Sequence, residues 1–303
     1  MKVAFLSVNT GAYDTFFKVL FPYNYQNFLP DCQVTFFVFT DSKDLEQSFA
    51  LNPRVKVIYQ EYEPWPAPTL DRFAYFLSQA EQLQEFDYIF FANANYYCKN
   101  PIKAEQILFA PTGDLGKDLI MVEHFGQNFI AEHLRSYERN PSSQAYIAPQ
   151  PERPTTYVAG GFYGGTAQAF LALARTLAQR IQADKEQGIV AHWHDESHLN
   201  RYLYDLNYAC HFLPPCYCVP QEYDFESRYI GERQDWPCVL LNKNALPSPA
   251  QDIRSNQASY DPRWIEILIM QERELESWWL RDRHIFYPNA IKNQCFNTLL
   301  WEI

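Results

Sequence analysis

Short apolar runs alternate with a helical segment at the start of this chain, and this alternation constrains the fold more than any other feature. Residues 3–8 and 32–40 are β-branched and aromatic runs that predict strands, and the aromatic-rich residues 16–28 between them predict a helix. Residues 88–92 are continuously apolar, as expected of a strand that is covered on both faces. The strand–helix–strand order predicts an α/β fold with a parallel sheet.

Later segments predict further helices. A proline-rich loop at residues 64–68 precedes a helix predicted over residues 70–84, and an apolar run predicts another over residues 167–181. Residues 264–280 have the spacing of an amphipathic helix, which we expect to pack on the core. Four of the ten glycines fall within residues 160–165, and this run indicates either two tight turns or the wall of a pocket.

The composition excludes several classes of function. A formal net charge of −11 argues against non-specific binding of nucleic acid and against an electrostatic membrane anchor. Seven cysteines without a regular framework indicate free thiols in a reducing compartment. No apolar run reaches the ~18 residues of a transmembrane helix, and the N-terminus lacks a signal-peptide pattern. We therefore expect a cytoplasmic protein, with peripheral contact to an inner membrane left open.

The densest group of polar side chains lies at residues 192–203, which read HWHDESHLNRYL. Asp195 and Glu196 would stand in the first turn of a helix, where unpaired N–H groups and the helix dipole stabilise negative charge. An acidic first turn is a sufficient explanation for Asp195 alone. It does not explain three histidines and a tryptophan around two acids, so this stretch predicts a functional site.

Two motifs resemble a known family. The glycine run 160–165 followed by the run WHDESHLN at 193–200 is similar to the blood-group A/B and α1,3-galactosyltransferase family, glycosyltransferase family 6. The run YERNP at 137–141, leading to QAYI at 144–147, also resembles it. The resemblance extends over roughly residues 3–245 and implies a GT-A glycosyltransferase fold, with a Rossmann-like, mostly parallel central sheet flanked by helices.

The resemblance also implies a domain organisation. Residues 1–254 would form the GT-A glycosyltransferase domain, with residues 1–100 as its nucleotide-binding half and residues 101–254 as its acceptor and catalytic half. Residues 255–303 would form a C-terminal helical extension. Vertebrate members of the family are membrane-anchored, whereas this chain lacks such an anchor and looks like a bacterial form.

The activity implied by the resemblance is transfer of N-acetylgalactosamine or galactose from a UDP-sugar to a galactose 3-hydroxyl, with retention of the anomeric configuration. The acceptor would be an oligosaccharide or glycolipid of the fucosyl-α1,2-galactose type. An oxocarbenium-like transition state requires a nearby carboxylate. Glu196 matches the catalytic glutamate of the family, either as the nucleophile of a double displacement or as the stabiliser of a front-face ion pair.

Two asparagines follow the strand predicted at residues 88–92. Asn93 and Asn95 lie at the carboxyl end of that strand, where α/β sheets bind ligands, although an Asx turn would also explain them. Vertebrate relatives hold an Asp-x-Asp here that binds a metal on the diphosphate. Neutral amides bind hard cations weakly, so we expect a metal-independent enzyme without a cofactor, with Mn²⁺ as the alternative. Cationic side chains would then have to stabilise the diphosphate.

The remaining site residues also come from the resemblance. Small side chains around the sugar's 2-position leave room for an N-acetyl group, so UDP-N-acetylgalactosamine is the expected donor. For His124 alone, a hydrogen-bonded core histidine is the alternative. The predicted donor-binding residues are Val8, Tyr13, Arg72, Asn93, Asn95, Ala159, Gly160, Gly161, His194, Asp195, Lys243 and Arg254, and the predicted acceptor-binding residues are His124, Ser136, Trp193 and Glu222.

Two other classes of function stay open for the polar stretch. In a metal-dependent hydrolase, zinc would be bound by the cluster from His192 to His198. His194 and His198 have the i, i+4 spacing of zinc helices, but Glu196 stands at i+2, whereas such helices place their glutamate at i+1. A non-catalytic sugar-binding protein is the third class, and the presence of Glu196 argues against it.

Overall fold

A seven-stranded sheet organises the computed structural model, which describes residues 1–149, 154–223, 232–245 and 261–282. A separate two-stranded sheet is formed by the fifth and ninth strands. In chain order the strands are β1 (Lys2–Val8), β2 (Gln33–Thr40), β3 (Val55–Tyr59), β4 (Tyr88–Ala92), β5 (Tyr96–Cys98), β6 (Leu119–Glu123), β7 (Val158–Thr166), β8 (His211–Leu213) and β9 (Cys238–Leu240).

The large sheet has the order β3-β2-β1-β4-β7-β6-β8. Strands β1 to β4 are mutually parallel, and β8 is parallel to β6. Strand β7 alone runs antiparallel to its neighbours β4 and β6. The predicted α/β architecture with a mostly parallel central sheet is therefore confirmed. Because one sheet runs through both predicted halves, the structure gives no separate boundary near residue 100.

Helices cover both faces of the large sheet. They are α1 (Asp14–Asn27), α2 (Lys43–Phe49), α3 (Ala67–Leu70), α4 (Arg72–Leu77), α5 (Ala80–Leu83), α6 (Ala104–Ile107), α7 (Ala167–Glu186), α8 (His194–Asp205) and α9 (Pro262–Asp282). The helices predicted over residues 16–28, 167–181 and 264–280 correspond to α1, α7 and α9. Apolar residues of α4, α7 and α8 pack on one face, and apolar residues of α1 pack on the other.

The single helix predicted over residues 70–84 is wrong. The structure divides this segment into α3, α4 and α5. At the second break, the Ser78 hydroxyl donates to the Tyr75 carbonyl at 2.7 Å and so competes with the helical backbone. At the first break, the Arg72 side chain donates from Nε to the Thr69 carbonyl at 3.1 Å. This bond turns the guanidinium toward the carboxyl end of β4.

The glycine run belongs to a strand, so the alternative of two tight turns is wrong. All nine residues of β7 are buried. A Cβ on Gly164 would lie 2.4 Å from Cδ1 of Phe90. Glycine at this position therefore lets β7 approach β4 closely, and the first residues of the strand reach the edge of the sheet that carries the site.

The C-terminal helix α9 packs on the body of the protein, as predicted from its amphipathic spacing. Its residues Ile265, Leu268 and Ile269 are buried in a cluster with Leu20 of α1 and Val239 of β9.

Among the helices of the described residues, none combines the length and the hydropathy of a membrane-spanning segment.

Candidate active site

The predicted site residues gather at one edge of the large sheet. Val8 ends β1, Asn93 follows β4, and His124 follows β6, so all three lie at the carboxyl ends of strands with the same direction. Because β7 runs the opposite way, its first residues reach this edge as well. A bond from the Gly160 N–H to Glu196 brings the first turn of α8 to the same place.

The Glu196 carboxylate is held by two donors. Oε2 accepts the backbone N–H of Gly160 at 2.7 Å, and Oε1 accepts the hydroxyl of Tyr157 at 3.0 Å. Burial raises the pKa of Glu196 to about 7, against the opposing effect of both hydrogen bonds. The carboxylate therefore has a fixed orientation, and its ionisation is half complete near neutral pH.

Asp195 forms an ion pair with Arg72 beside Glu196. The distance from Arg72 Nη1 to Asp195 Oδ2 is 3.3 Å, and both side chains are nearly inaccessible to solvent. Burial raises the pKa of Asp195 to about 6, although the charge of Arg72 opposes this shift. Among the described residues, Oδ2 has no hydrogen-bond partner. The contact of Oδ2 with Arg72 is therefore a charge pair without hydrogen-bond geometry.

The asparagine pair is arranged differently from a pair of metal ligands. Asn95 is buried, and its amide donates to the Leu241 carbonyl at 2.7 Å. Asn93 Oδ1 accepts a bond from Arg72 Nη1 at 3.4 Å. The Asn95 bond uses only the Nδ2 group, but both amide oxygens are neutral and a guanidinium adjoins Asn93, so this donor set is a poor fit for a divalent cation, which prefers carboxylate oxygens. Arg72 instead supplies a positive charge at this point.

The first residues of β7 form the wall beside Glu196. A Cβ on Gly160 would stand 3.0 Å from Cβ and 3.2 Å from Oε2 of Glu196. A Cβ on Gly161 would point elsewhere, 2.8 Å from Sγ of Cys218 and 3.2 Å from Nδ2 of Asn93. The small residues Ala159 to Gly161 thus separate the carboxylate from the end of β4.

The β1 end of the site carries an aromatic ring and a lysine. Val8 pairs with Phe39 in the last register position of β1 and β2. Tyr13 closes the following 3₁₀ turn, and Nζ of Lys243 stands 5.8 Å from the centre of its ring. Glu222 is exposed, and its carboxyl lies within the influence of the charges of Lys243 and Arg233. Arg254 lies outside the described residues.

The predicted acceptor residues lie on the other side of Glu196. His124 Nδ1 accepts the N–H groups of Gly126 and Gln127 at 3.0 and 3.2 Å, and burial lowers its pKa to about 3. The neutral ring therefore carries its proton on Nε2. Its ring stands edge-on to Tyr157 at 5.5 Å. The Ser136 carbonyl accepts from the Tyr157 hydroxyl at 3.5 Å, so Ser136 is close to the Glu196 carboxylate.

The aromatic residue Trp193 precedes α8 directly. Its Nε1 is buried and has no hydrogen-bond partner among the described residues. Its backbone N–H donates to the Ser197 hydroxyl at 2.9 Å, which fixes the entry into the helix. An unpaired buried N–H group is costly, so Nε1 of Trp193 is a donor that the described residues leave unused.

The three histidines of the polar stretch do not converge. His192 is exposed and contacts the ring of Trp193. His194 has a left-handed backbone with φ of 53°, and its ring lies 4.6 Å from that of Trp65. His198 is buried with Nε2 at 3.5 Å from Oδ2 of Asp184. Within the described residues no three His, Cys, Asp or Glu side chains are grouped to hold a metal ion. This geometry disfavours the zinc hydrolase.

Several residues of the site were missed by sequence reasoning. Tyr157 donates to Glu196, and Asn200 of α8 donates to the Glu196 carbonyl at 2.9 Å and to the Val158 carbonyl at 3.0 Å. Cys218 packs against Gly161. Asn200 is the last residue of the WHDESHLN motif, and Tyr157 lies three residues before the glycine run. Their positions at these motifs are a signal that could have found them. Cys218 lies on a distant segment, and no local pattern marks it.

Comparison with known proteins identifies the family. The chain matches the family described as Glycosyltransferase family 6 over residues 3–231. The chain therefore belongs to glycosyltransferase family 6, and it is a glycosyltransferase by class.

Individual relatives agree with this assignment. The chain is 31% identical over 243 residues to the O-antigen biosynthesis glycosyltransferase WbnI of Escherichia coli, covering 80% of this chain and 95% of the relative. It is 30% identical over 250 residues to the rat histo-blood group ABO system transferase 1, covering 80% of this chain and 66% of the relative. It is 29% identical over 198 residues to the chicken globoside alpha-1,3-N-acetylgalactosaminyltransferase 1, covering 64% of this chain and 54% of the relative.

Proposed function

We propose that this protein is a retaining α1,3-glycosyltransferase that moves N-acetylgalactosamine, or galactose as the less favoured donor sugar, from a UDP-sugar to a galactose 3-hydroxyl. The observation that carries the proposal is the oriented carboxylate of Glu196, beside an ion pair and opposite a neutral histidine. The name of one relative, the chicken globoside alpha-1,3-N-acetylgalactosaminyltransferase 1, supports the linkage and the sugar.

Glu196 acts on the anomeric carbon in the proposed reaction. The bond from this carbon to the diphosphate oxygen breaks, UDP leaves with the electron pair, and positive charge develops on the sugar. The carboxylate stabilises that charge, either through a covalent bond or through an ion pair. Its hydrogen bonds to Gly160 and Tyr157 fix it before the reaction, so little reorganisation is needed in the transition state.

Side-chain cations stabilise the leaving diphosphate in this proposal. Arg72 lies next to Asn93, at the place where metal-dependent relatives are expected to hold a cation. Lys243 lies above Tyr13, which we propose as the stacking partner of the uracil, with the Val8 backbone at its edge. The two cations approach the diphosphate from different segments. The transfer is therefore proposed to proceed without a metal.

The acceptor is proposed to bind between His124 and Trp193. Nε2–H of the neutral His124 ring is a donor, and the unpaired Nε1–H of Trp193 is a second one. Ser136 and Glu222 complete the polar rim. Two donors facing a sugar are suited to hydroxyl recognition. We propose a fucosyl-α1,2-galactose acceptor on an oligosaccharide or a glycolipid.

One experiment tests the proposal directly. The protein is incubated with UDP-N-acetylgalactosamine or UDP-galactose on an array of glycans, and the products are analysed by mass and by linkage. A product with one added N-acetylhexosamine in α1,3-linkage to galactose is expected. Binding of the UDP-sugar without turnover on any acceptor would instead indicate a non-catalytic sugar-binding protein. An inverted linkage would contradict the retaining mechanism.

A further inference from the structure

The C-terminal helix α9 is attached to the body of the protein by buried charges. Glu272 of this helix is fully buried, and its carboxylate accepts from Nε and Nη2 of Arg233 at 3.1 and 2.5 Å and from Nζ of Lys99 at 3.1 Å. The residues matched by the family stop at 231, so both Arg233 and α9 lie beyond them. A buried ion pair contributes little net stability. Separating its partners would leave an uncompensated buried charge, so the pair favours one arrangement of the segments that carry it.

The same cluster binds the chain segments that lead to the site. Arg233 also donates to the backbone carbonyls of Gln221 at 2.6 Å and of Tyr223 at 3.1 Å. Lys99 donates to the Arg233 carbonyl at 2.5 Å and to Glu276 of α9 at 2.5 Å. The helix, the segment at 221–223 and the segment at 232–245 are therefore connected through one group of charges.

Gln221 links α9 to the residue before Lys243. Its side chain is buried, its Nε2 donates to the Leu268 carbonyl of α9 at 2.7 Å, and its Oε1 accepts the backbone N–H of Asn242 at 2.9 Å. Its own N–H donates to the Leu240 carbonyl at 2.8 Å. Because both ends of one amide are used, the position of Asn242 depends directly on the position of α9.

The opposite side of this segment is held by the end of β4. The Asn95 amide donates to the Leu241 carbonyl at 2.7 Å, and the Leu241 N–H donates to the Asn95 carbonyl at 2.9 Å. Lys243 follows two residues later and stands over the Tyr13 ring. Its backbone is thus held between the sheet edge and the C-terminal helix.

We propose that Gln221 is a positioning residue for Lys243, and that α9 is the anchor through which it acts. This inference rests on the proposed function, because it assigns Lys243 to the diphosphate of a UDP-sugar. Fixing the backbone that carries the cation before the substrate arrives lowers the entropy cost of ordering this segment on binding. The extension beyond the family's matched residues therefore tunes the donor site.

Three variants of the full chain test this proposal, with UDP-sugar turnover, calorimetric UDP binding and thermal unfolding as readouts. Gln221→Ala removes both bonds and is expected to weaken UDP binding by about threefold to tenfold. Gln221→Glu keeps an acceptor for Asn242 but cannot donate to Leu268, and it should weaken binding to a similar degree because α9 is the anchor. Asn27→Ala is the control: this buried amide donates at 2.9 Å to the Cys98 carbonyl of β5, the strand that pairs with β9, and not to Gln221, Asn242 or α9.

A double variant separates positioning from stability. If Gln221 acts through Lys243, Gln221→Ala in the Lys243→Ala background should cause no further loss of UDP binding, whereas Asn27→Ala should give the same small effect in both backgrounds. Independent, multiplied losses in the double variant would overturn the inference, as would a Gln221→Ala variant that binds UDP like Asn27→Ala. Unchanged turnover in Lys243→Ala would overturn the proposed role of Lys243 as well as this inference.

Discussion

The end of β4 and the first turn of α8 each bring a pair of polar residues to the same edge of the sheet, yet the two pairs differ in charge and in availability. Asn93 and Asn95 are neutral, and the Asn95 amide is used to hold the backbone at Leu241. Asp195 and Glu196 are acids whose pKa values are raised to about 6 and about 7 by burial. In the proposed function the first pair shapes the site, and the second pair supplies its reactive charge.

The difference shows how the charge balance of the site is achieved. A carboxylate pair at the end of β4 would need a cation from solution. With amides there, the guanidinium of Arg72 lies between Asn93 and Asp195 and serves both regions. In the proposed reaction this side chain supplies the positive charge that an ion would otherwise bring, and its Nε donates to the Thr69 carbonyl. The predictions below test this division between a neutral scaffold and a charged reactive turn.

The largest effect is expected at Glu196. Glu196→Gln keeps the size of the side chain but removes the charge that stabilises an oxocarbenium-like centre, so kcat should fall on the order of a hundredfold or more. Calorimetric UDP binding should change little. Asp205→Asn, at the other end of α8, is the matched control and should leave turnover unchanged. A Glu196→Gln variant with near wild-type kcat would remove this residue from the mechanism.

The next effect concerns the cation that replaces a metal. Lys243→Ala should lower kcat/KM by about tenfold to a hundredfold, because a charged bond to the departing diphosphate is lost. The wild type should keep its activity in EDTA and gain less than about twofold from Mn²⁺. Lys185→Ala, which removes a surface pair with Asp71, serves as the control. Activity that disappears in EDTA and returns with Mn²⁺ would show that the amide pair had been misinterpreted.

A smaller effect is expected from the donor to Glu196. The reaction needs the carboxylate form, so kcat/KM should rise with pH with a midpoint near pH 7, the value to which burial raises the Glu196 pKa, and level off roughly one unit higher. The Tyr157 hydroxyl lowers that pKa, so Tyr157→Phe should move the midpoint to higher pH and reduce activity at pH 7 by about tenfold.

The matched control for this change is Tyr75→Phe. It removes a partly buried hydroxyl that donates to Glu63 rather than to a residue of the site. Its pH profile should equal that of the wild type. If Tyr157→Phe shifts the midpoint to lower pH instead, or leaves it in place, the hydrogen bond seen at 3.0 Å does not control the ionisation of Glu196.

The sequence predicted those parts of the molecule that depend on local patterns. The strand–helix–strand alternation predicted the α/β sheet, and the run at residues 192–203 predicted the helix that presents Asp195 and Glu196. Failures came where distant residues decide the outcome. The helix predicted over residues 70–84 is broken where the Arg72 and Ser78 side chains bond to the backbone, and the glycine run became a strand because β4 packs closely against it.

Long-range contacts explain what sequence reasoning missed in the site. Asn95 resembles a ligand residue when only its neighbours are known. Its Nδ2 group, however, donates to the carbonyl of Leu241, which lies far along the chain. Gly161 was expected to open space for a donor sugar, whereas its missing side chain points toward Cys218. Neither partner could be identified from spacing. The donor-specific role of Gly161 therefore needs a test that separates packing from substrate selection.

The smallest expected effect is on the choice of donor. The wild type should prefer UDP-N-acetylgalactosamine, and Gly161→Ala should shift the ratio of kcat/KM values toward UDP-galactose by about threefold to tenfold, because the added methyl would stand 3.2 Å from Nδ2 of Asn93 and narrow the donor side of the wall. The same methyl would lie 2.8 Å from Sγ of Cys218, so the melting temperature should fall as well.

Cys218→Ala removes that sulfur, and the double variant should regain stability. If the double variant keeps the shifted ratio, Gly161 selects the donor by direct crowding. If the ratio returns to the wild-type value together with the melting temperature, the selection comes from displaced packing around Cys218, and the small residues of β7 act as scaffold in the same way as the amides at the end of β4.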